Sequence, residues 1–191
     1  MKYILGSKSP RRIELLKNII SDFVVEPSDY EEDMSDTSLL PLELVQKLAT
    51  GKATDVADKH NDECLIIGAD TVVAVDNKVL GKPVDRADAV RMIAEIAGRS
   101  HEVCTGVCLI KKVPGQLDVI KTFAVSTKVN VAVMSEVEIE TYIDKGESMD
   151  KAGAYAIQGY FCPFISGIEG DYSNVVGLPV ARLYEELKVL L

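Results

Sequence analysis

Six consecutive residues, Ser7-Lys8-Ser9-Pro10-Arg11-Arg12, set hydroxyls, cations and a proline directly behind a short apolar run, Tyr3-Ile4-Leu5-Gly6. The apolar run reads as a strand ending at Gly6. Ser9 followed by Pro10 is the pattern of a helix start, with serine as the cap and proline at the first helical position. Unpaired backbone N–H groups and the positive helix end would then face the same point as two guanidinium groups, which predicts a site for a phosphorylated ligand. The plainer alternative is a capped helix whose arginines pair with surface carboxylates.

Further segments complement that turn. Gly68-Ala69-Asp70-Thr71 follows the buried run Leu65-Ile66-Ile67, so Asp70 is expected at a strand end, rigid and partly desolvated. A carboxylate there can bind a metal or accept a proton from water. Gly81-Lys82-Pro83 supplies a cation across one turn from Asp70, between a residue that admits close approach and one that stiffens the chain. The acidic loop Asp29-Tyr30-Glu31-Glu32-Asp33 offers a second carboxylate. Mg²⁺ uses few protein carboxylates and keeps several waters, so Asp70 plus Glu31 or Glu32 would suffice. Lys52 adds a possible phosphate contact, and Gln158 carries the donor and acceptor needed to pair with a nucleobase edge. Taken singly, each is also ordinary turn or surface chemistry.

The elements that must position these groups alternate between strand and helix. Apolar residues at 13, 15, 16, 19 and 20 predict a helix over Arg11–Ile20, followed by a short strand at Phe23–Val25. Pro41 begins a longer helix running towards His60. Leu65–Gly68, Val72–Val75 and Lys78–Leu80 read as extended, with a turn at Asp76-Asn77. Asp85–Ala97 is helical and closed by Gly98. His101–Lys111 and Asp118–Val133 form a long hairpin turning at Pro114-Gly115. Ser135 and Glu138 make a capping box for Glu136–Asp144, and Pro179–Leu191 closes the chain as a helix. The expected fold is a single α/β domain over residues 1–191, a mixed twisted sheet flanked by helices with a long β-hairpin.

Composition narrows the function. With 191 residues and 47% hydrophobic content the chain can bury a core without disulfides or structural metal. A net charge of −9 excludes a broad nucleic-acid surface, so no polymeric nucleic acid is expected. No apolar stretch approaches the roughly 20 residues that cross a bilayer, and no secretory pattern opens the chain; a cytoplasmic protein without membrane contact is expected. Cys64, Cys104, Cys108 and Cys162 lack C-x-x-C spacing. His101, Cys104 and Cys108 lie in an extended run, where positions four apart sit about 13 Å apart, so buried thiols are expected rather than zinc ligands. No G-x-x-x-x-G-K-[ST] is present, which removes a P-loop enzyme.

Six motifs occur in one order: Ser7-x-Ser9-Pro10-Arg11-Arg12, Gly68-Ala69-Asp70-Thr71-Val72-Val73, Gly81-Lys82-Pro83, Asp150-Lys151-Ala152-Gly153-Ala154-Tyr155, Gln158-Gly159 and Val176-Gly177-Leu178-Pro179. The chain closely resembles the Maf family of nucleoside triphosphate pyrophosphatases, nearly end to end. The resemblance implies an inosine triphosphate pyrophosphatase-like fold, two lobes around a cleft, often dimeric, so a homodimer is expected. It implies cleavage of a nucleoside triphosphate between the α- and β-phosphates with a divalent metal, Mg²⁺ or Mn²⁺. On that basis Asp70, Glu32 and Lys82 are the catalytic candidates, with Asp70 and Glu32 on the metal. Ser7, Arg11, Lys52 and Lys82 match the phosphate contacts. Arg12, Thr71 and Gln158 match the positions that set the dTTP/UTP branch, with modified pyrimidine nucleotides as further candidate substrates. The acidic loop is a loose version of the family pattern, leaving Glu31 as an alternative to Glu32. Tyr160-Phe161-Cys162-Pro163 is bulkier than the glycine-bearing sequence of many relatives. A non-catalytic nucleotide-binding regulator of septum formation or cell division is the alternative function.

Overall fold

The computed structural model describes residues 1–33 and 38–190, and among these residues it has seven strands and six α-helices. The strands are β1 (Lys2–Leu5), β2 (Val24–Val25), β3 (Cys64–Val75), β4 (Lys78–Leu80), β5 (Ser100–Lys112), β6 (Val119–Val131) and β7 (Ile165–Glu169). The helices are α1 (Pro10–Leu16), α2 (Pro41–Ala57), α3 (Arg86–Ile96), α4 (Glu136–Ile143), α5 (Tyr172–Val176) and α6 (Val180–Leu190). One sheet holds the strands in the order β2-β1-β3-β5-β6-β7, with β4 paired to β3. β1 lies parallel to both β2 and β3, whereas β4 on β3 and β7 on β6 are antiparallel. The mixed sheet of the expected fold class is therefore present. The chain divides into two compact units: Met1–Asp70, Thr105–Val125 and Gly177–Leu191, and then Thr71–Cys104 with Ser126–Val176.

In the first unit the strand period of two separates two cores. Leu65, Ile67 and Ala69 of β3 join Leu5, Val107 and Leu109 against Leu16, Leu178, Leu183 and Leu187. Cys64 and Ile66, on the other face, join Ile4, Cys108 and Ile110 against Ala49, Ala53, Val56 and Ala57 of α2. The small residues of α2 let the helix approach the sheet closely. At Gly68 the approach leaves no room for a side chain, because a β-carbon there would fall 2.6 Å from the Ala49 carbonyl oxygen and 2.7 Å from the Ala53 nitrogen.

Several expectations change. β3 does not end at Gly68; it runs unbroken for 12 residues and places Asp70 within the strand. Gly68 makes room for helix backbone rather than breaking the strand. Helix α1 stops at Leu16, short of Ile20, because the Asn18 side chain donates to the carbonyls of Glu14 and Leu15 and draws the chain into a turn. Ile19 and Ile20 still reach the core from that turn. Cys64, Cys104 and Cys108 are buried thiols, as expected, but Cys162 is exposed. His60 meets Glu26 at 2.9 Å. The closing helix is described to Leu190; Leu191 lies outside the described residues.

Candidate functional site

Asp70 shares the β3 face of Cys64, Ile66 and Gly68, so its side chain emerges on the α2 side two residues beyond the close approach at Gly68. Lys52 lies on α2 between Ala49 and Ala53 and meets it. The Lys52 ammonium donates to Asp70 Oδ1 at 2.5 Å and pairs with Glu32 Oε1 at 2.7 Å. The Asp70 and Lys52 side chains are 9% and 13% exposed, while that of Glu32 is 40% exposed. A desolvated carboxylate is held by a desolvated cation, and the pair opens towards solvent through Glu32.

The acidic loop reaches this point because α2 ties it down. Ser28 Oγ and the Asp29 backbone N–H both donate to Asp55 Oδ2 at 2.9 Å, and Lys59 bridges Asp29 and Asp55. These donors hold the Asp55 carboxyl below its ordinary value, the Asp29 N–H contributing most. One turn earlier the Tyr30 ring covers Gly51, where any side chain would collide with it. Glycine inside a helix costs roughly 0.5–1 kcal/mol relative to alanine; here it gives the ring its seat. The next residues then lie beside Lys52, and Glu32 makes the ion pair. Glu31 is exposed; Glu32 is the carboxylate that pairs with Lys52.

The Ser-Pro-Arg-Arg turn contributes to the same neighbourhood. Arg12 donates from Nε to the Gly177 carbonyl at 2.8 Å and from Nη1 to Ser7 Oγ at 3.2 Å. Burial lowers the guanidinium's affinity for its proton, Asp70 and Glu32 raise it, and Arg11 lowers it again. Arg12 therefore sits within the fields of Asp70, Arg11 and Glu32. The expected free N–H groups are partly engaged, since Ser9 N donates to Ser7 Oγ at 3.3 Å and Arg12 N to Ser9 Oγ at 3.5 Å. The helix is also only seven residues long. Positive potential here comes from side chains far more than from the helix end.

The carboxylate pair fits a divalent ion. Both oxygens already converge on one cationic atom, and hard carboxylate oxygens suit Mg²⁺ or Mn²⁺. Among the described residues no group of three His, Cys, Asp or Glu forms a full protein cage. Two carboxylates completed by water and substrate oxygens is the usual Mg²⁺ arrangement.

The second unit holds Thr71, Lys82 and Gln158. Thr71 follows Asp70 within β3. The β3–β4 turn uses Asp76 and Asn77 at φ 50° and 64°, the left-handed pair of a tight hairpin. Beyond β4 the Gly81 carbonyl accepts from the Gly153 N–H at 2.9 Å, joining the Lys82 turn to the Asp150–Tyr155 motif. Gly153, at φ 65°, packs against Val73 with no room for a side chain. Lys82 and Gln158 are both exposed.

The Maf-like protein family matches residues 2–190. The chain belongs to that family. This Maf-like chain is 51% identical over 188 residues to the dTTP/UTP pyrophosphatase of Carboxydothermus hydrogenoformans, covering 98% of each. It is 48% identical over 188 residues to the dTTP/UTP pyrophosphatase of Koribacter versatilis, covering 98% of this chain and 94% of that one. Over its whole length it also aligns with a solved dITP/XTP pyrophosphatase from Mycobacterium abscessus, covering 98% of that chain, at 14% identity and a TM-score of 0.46. Among the described residues no helix is long and apolar enough to cross a membrane.

The supports beneath the Maf-like site are residues to which no sequence pattern assigned a supporting role. Asp55 and Tyr30 hold the acidic loop, and Gly177, at φ 125°, presents the carbonyl that anchors Arg12. Gly51 was the available signal, since glycine in a helix interior asks for an explanation. Asp55 on an apparently solvated helix face carried none.

Proposed function

We propose that this chain hydrolyses nucleoside triphosphates between the α- and β-phosphates, releasing the monophosphate and pyrophosphate, with dTTP and UTP preferred. The observation that carries the proposal is the Lys52 ammonium held between Asp70 and Glu32 within the field of Arg12. Water attacks the α-phosphorus, its oxygen forms the new P–O bond, and the bond to the bridging oxygen breaks as pyrophosphate leaves. Asp70 takes the proton of that water on the carboxylate oxygen that Lys52 leaves open. Arg11 and Ser7 hold phosphate oxygens, Arg12 is kept rigid by Gly177 and Ser7, and Lys52 and Lys82 offset charge on the leaving pyrophosphate. Asp70 and Glu32 would hold a divalent cation, which when bound polarises phosphate oxygens.

At the base, Gln158 accepts from N3–H of uracil or thymine and donates to a neighbouring carbonyl. Cytosine lacks the N3–H, so an amide held in this orientation leaves its oxygen unpaired. The names of the relatives support the pyrimidine preference, as do Arg12, Thr71 and Gln158 in this chain. Pyrophosphate release from dTTP, UTP, CTP and 7-methyl-GTP with Mg²⁺ tests the proposal. The expected result is a kcat/KM for dTTP and UTP at least about tenfold above the others, lost on adding EDTA. Equal turnover of all four would remove the pyrimidine assignment. Binding of dTTP without turnover would instead favour the regulatory alternative.

A further inference from the structure

Gln158 can read a base only if its backbone is fixed, yet it is exposed on a loop between two short 3₁₀ turns, Ala152–Ala154 and Cys162–Phe164. A site loose by about 1 Å loses most of its discrimination. Two features of the second unit restrain the loop. Phe161 is fully buried, its ring 5.0 Å from that of Tyr142, 4.8 Å from Tyr155 and 5.6 Å from Phe164. The bulk after Gln158-Gly159 is thus an apolar anchor. The second restraint is polar. The Glu147 carboxylate lies directly against Gly159, where a β-carbon would collide with it, and accepts the Phe161 N–H at 3.3 Å. Its other neighbour is the Tyr142 hydroxyl on α4, which also lies 3.1 Å from the Ala154 carbonyl. Burial and then the charge and hydrogen bond of Glu147 push that phenol well above its ordinary value. One carboxylate thus joins Gly159 and Phe161 to Tyr142 of α4, whose hydroxyl in turn reaches Ala154.

We propose that Glu147 is a positioning residue for base specificity, holding the Gly159–Phe161 backbone so that the Gln158 amide meets the pyrimidine edge in one orientation. The proposal rests on Gln158 being the base reader. A larger residue at 159 would push the Glu147 carboxylate aside.

The test compares kcat/KM for UTP and CTP in the wild type, Glu147→Ala, Glu147→Asp, Gln158→Ala and the Glu147→Ala/Gln158→Ala double variant. Gln158→Ala is expected to lower the UTP:CTP ratio by about tenfold or more. Glu147→Ala reproduces most of that loss without touching the substrate, chiefly through KM for UTP. Glu147→Asp keeps the charge, falls one methylene short and gives a smaller loss, which keeps the test open should the alanine variant fold poorly. In the double variant the ratio falls no further than in Gln158→Ala, because both changes remove the same contact. A merely structural Glu147 would lower both substrates equally. A cooperative, folded Glu147→Ala with the wild-type ratio, in a set where Gln158→Ala collapses it, overturns the proposal. An unchanged ratio in Gln158→Ala brings down the base-reading role, and the role of Glu147 with it.

Discussion

Replacing Asp70 with asparagine is expected to lower kcat for pyrophosphate release from dTTP by about 10³-fold, with little change in melting temperature. Asparagine keeps the size of the side chain and an oxygen that can accept from Lys52, so the 2.5 Å contact survives in weakened form. What disappears is the basic oxygen. A positioned general base contributes typically 10²–10⁴-fold, and the loss of metal-holding charge adds to that. The neighbouring carboxylates supply the internal comparison. Glu32→Gln breaks the ion pair to Lys52 and is expected to reduce kcat by about tenfold or more. Glu31→Gln touches an exposed side chain and leaves the rate within about twofold. Steady-state assays at saturating dTTP with Mg²⁺ check all three. Asp70→Asn within tenfold of wild type would contradict the assignment, and a Glu31 effect larger than that of Glu32 would reverse the choice between them.

Acidification from pH 6.5 to 4 is expected to remove about 3 kcal/mol of folding stability through His101 alone. The ring is 3% exposed, with Nε2 at 2.7 Å from the Tyr155 hydroxyl and Nδ1 buried without a partner. Burial depresses its pKa from 6.5 to about 4. The neutral ring is therefore favoured in the fold, while the unfolded chain takes up a proton near pH 6.5. Between the two values the unfolded state binds more protons, so stability rises with pH and is lost as pH falls. The carboxylates whose values are lowered by partners, including Asp55, Asp88 and Glu169, lose their contributions at lower pH, below about 4.5. Urea unfolding at pH 7, 5.5 and 4.5 measures the slope. His101→Phe is less stable at pH 7, because Tyr155 loses its partner, but its stability is nearly flat across this window. An unchanged slope in that variant would show that another group carries the effect.

The fold was legible where local chemistry and tertiary need agree. Ser135 and Glu138 form the reciprocal cap read from their spacing, with Ser135 N donating to Glu138 at 2.7 Å. Asp76-Asn77 turns as its residue types require, and the long hairpin occupies its expected place as β5 and β6. Legibility failed where a residue serves a partner distant in sequence. Gly68 looks like a strand terminator because glycine is a weak strand former, whereas here it admits the backbone of α2. The extent of α1 was overestimated because its apolar period continues through Ile20, while the Asn18 amide ends the helix by taking its last carbonyls. Glu32 could not be told from Glu31 for a similar reason. The choice depends on where Tyr30 finds Gly51 and where Ser28 finds Asp55, and no local pattern encodes either meeting.

The bond that is cut tests the central claim most directly. Hydrolysis of dTTP in ¹⁸O-enriched water, with both products resolved by mass, reports which phosphorus the water attacks. Attack beside Asp70 on the α-phosphorus places the heavy oxygen in dTMP and leaves pyrophosphate unlabelled. Label in pyrophosphate, or release of dTDP and orthophosphate, would mean that Asp70, Glu32 and Lys52 surround a different reaction.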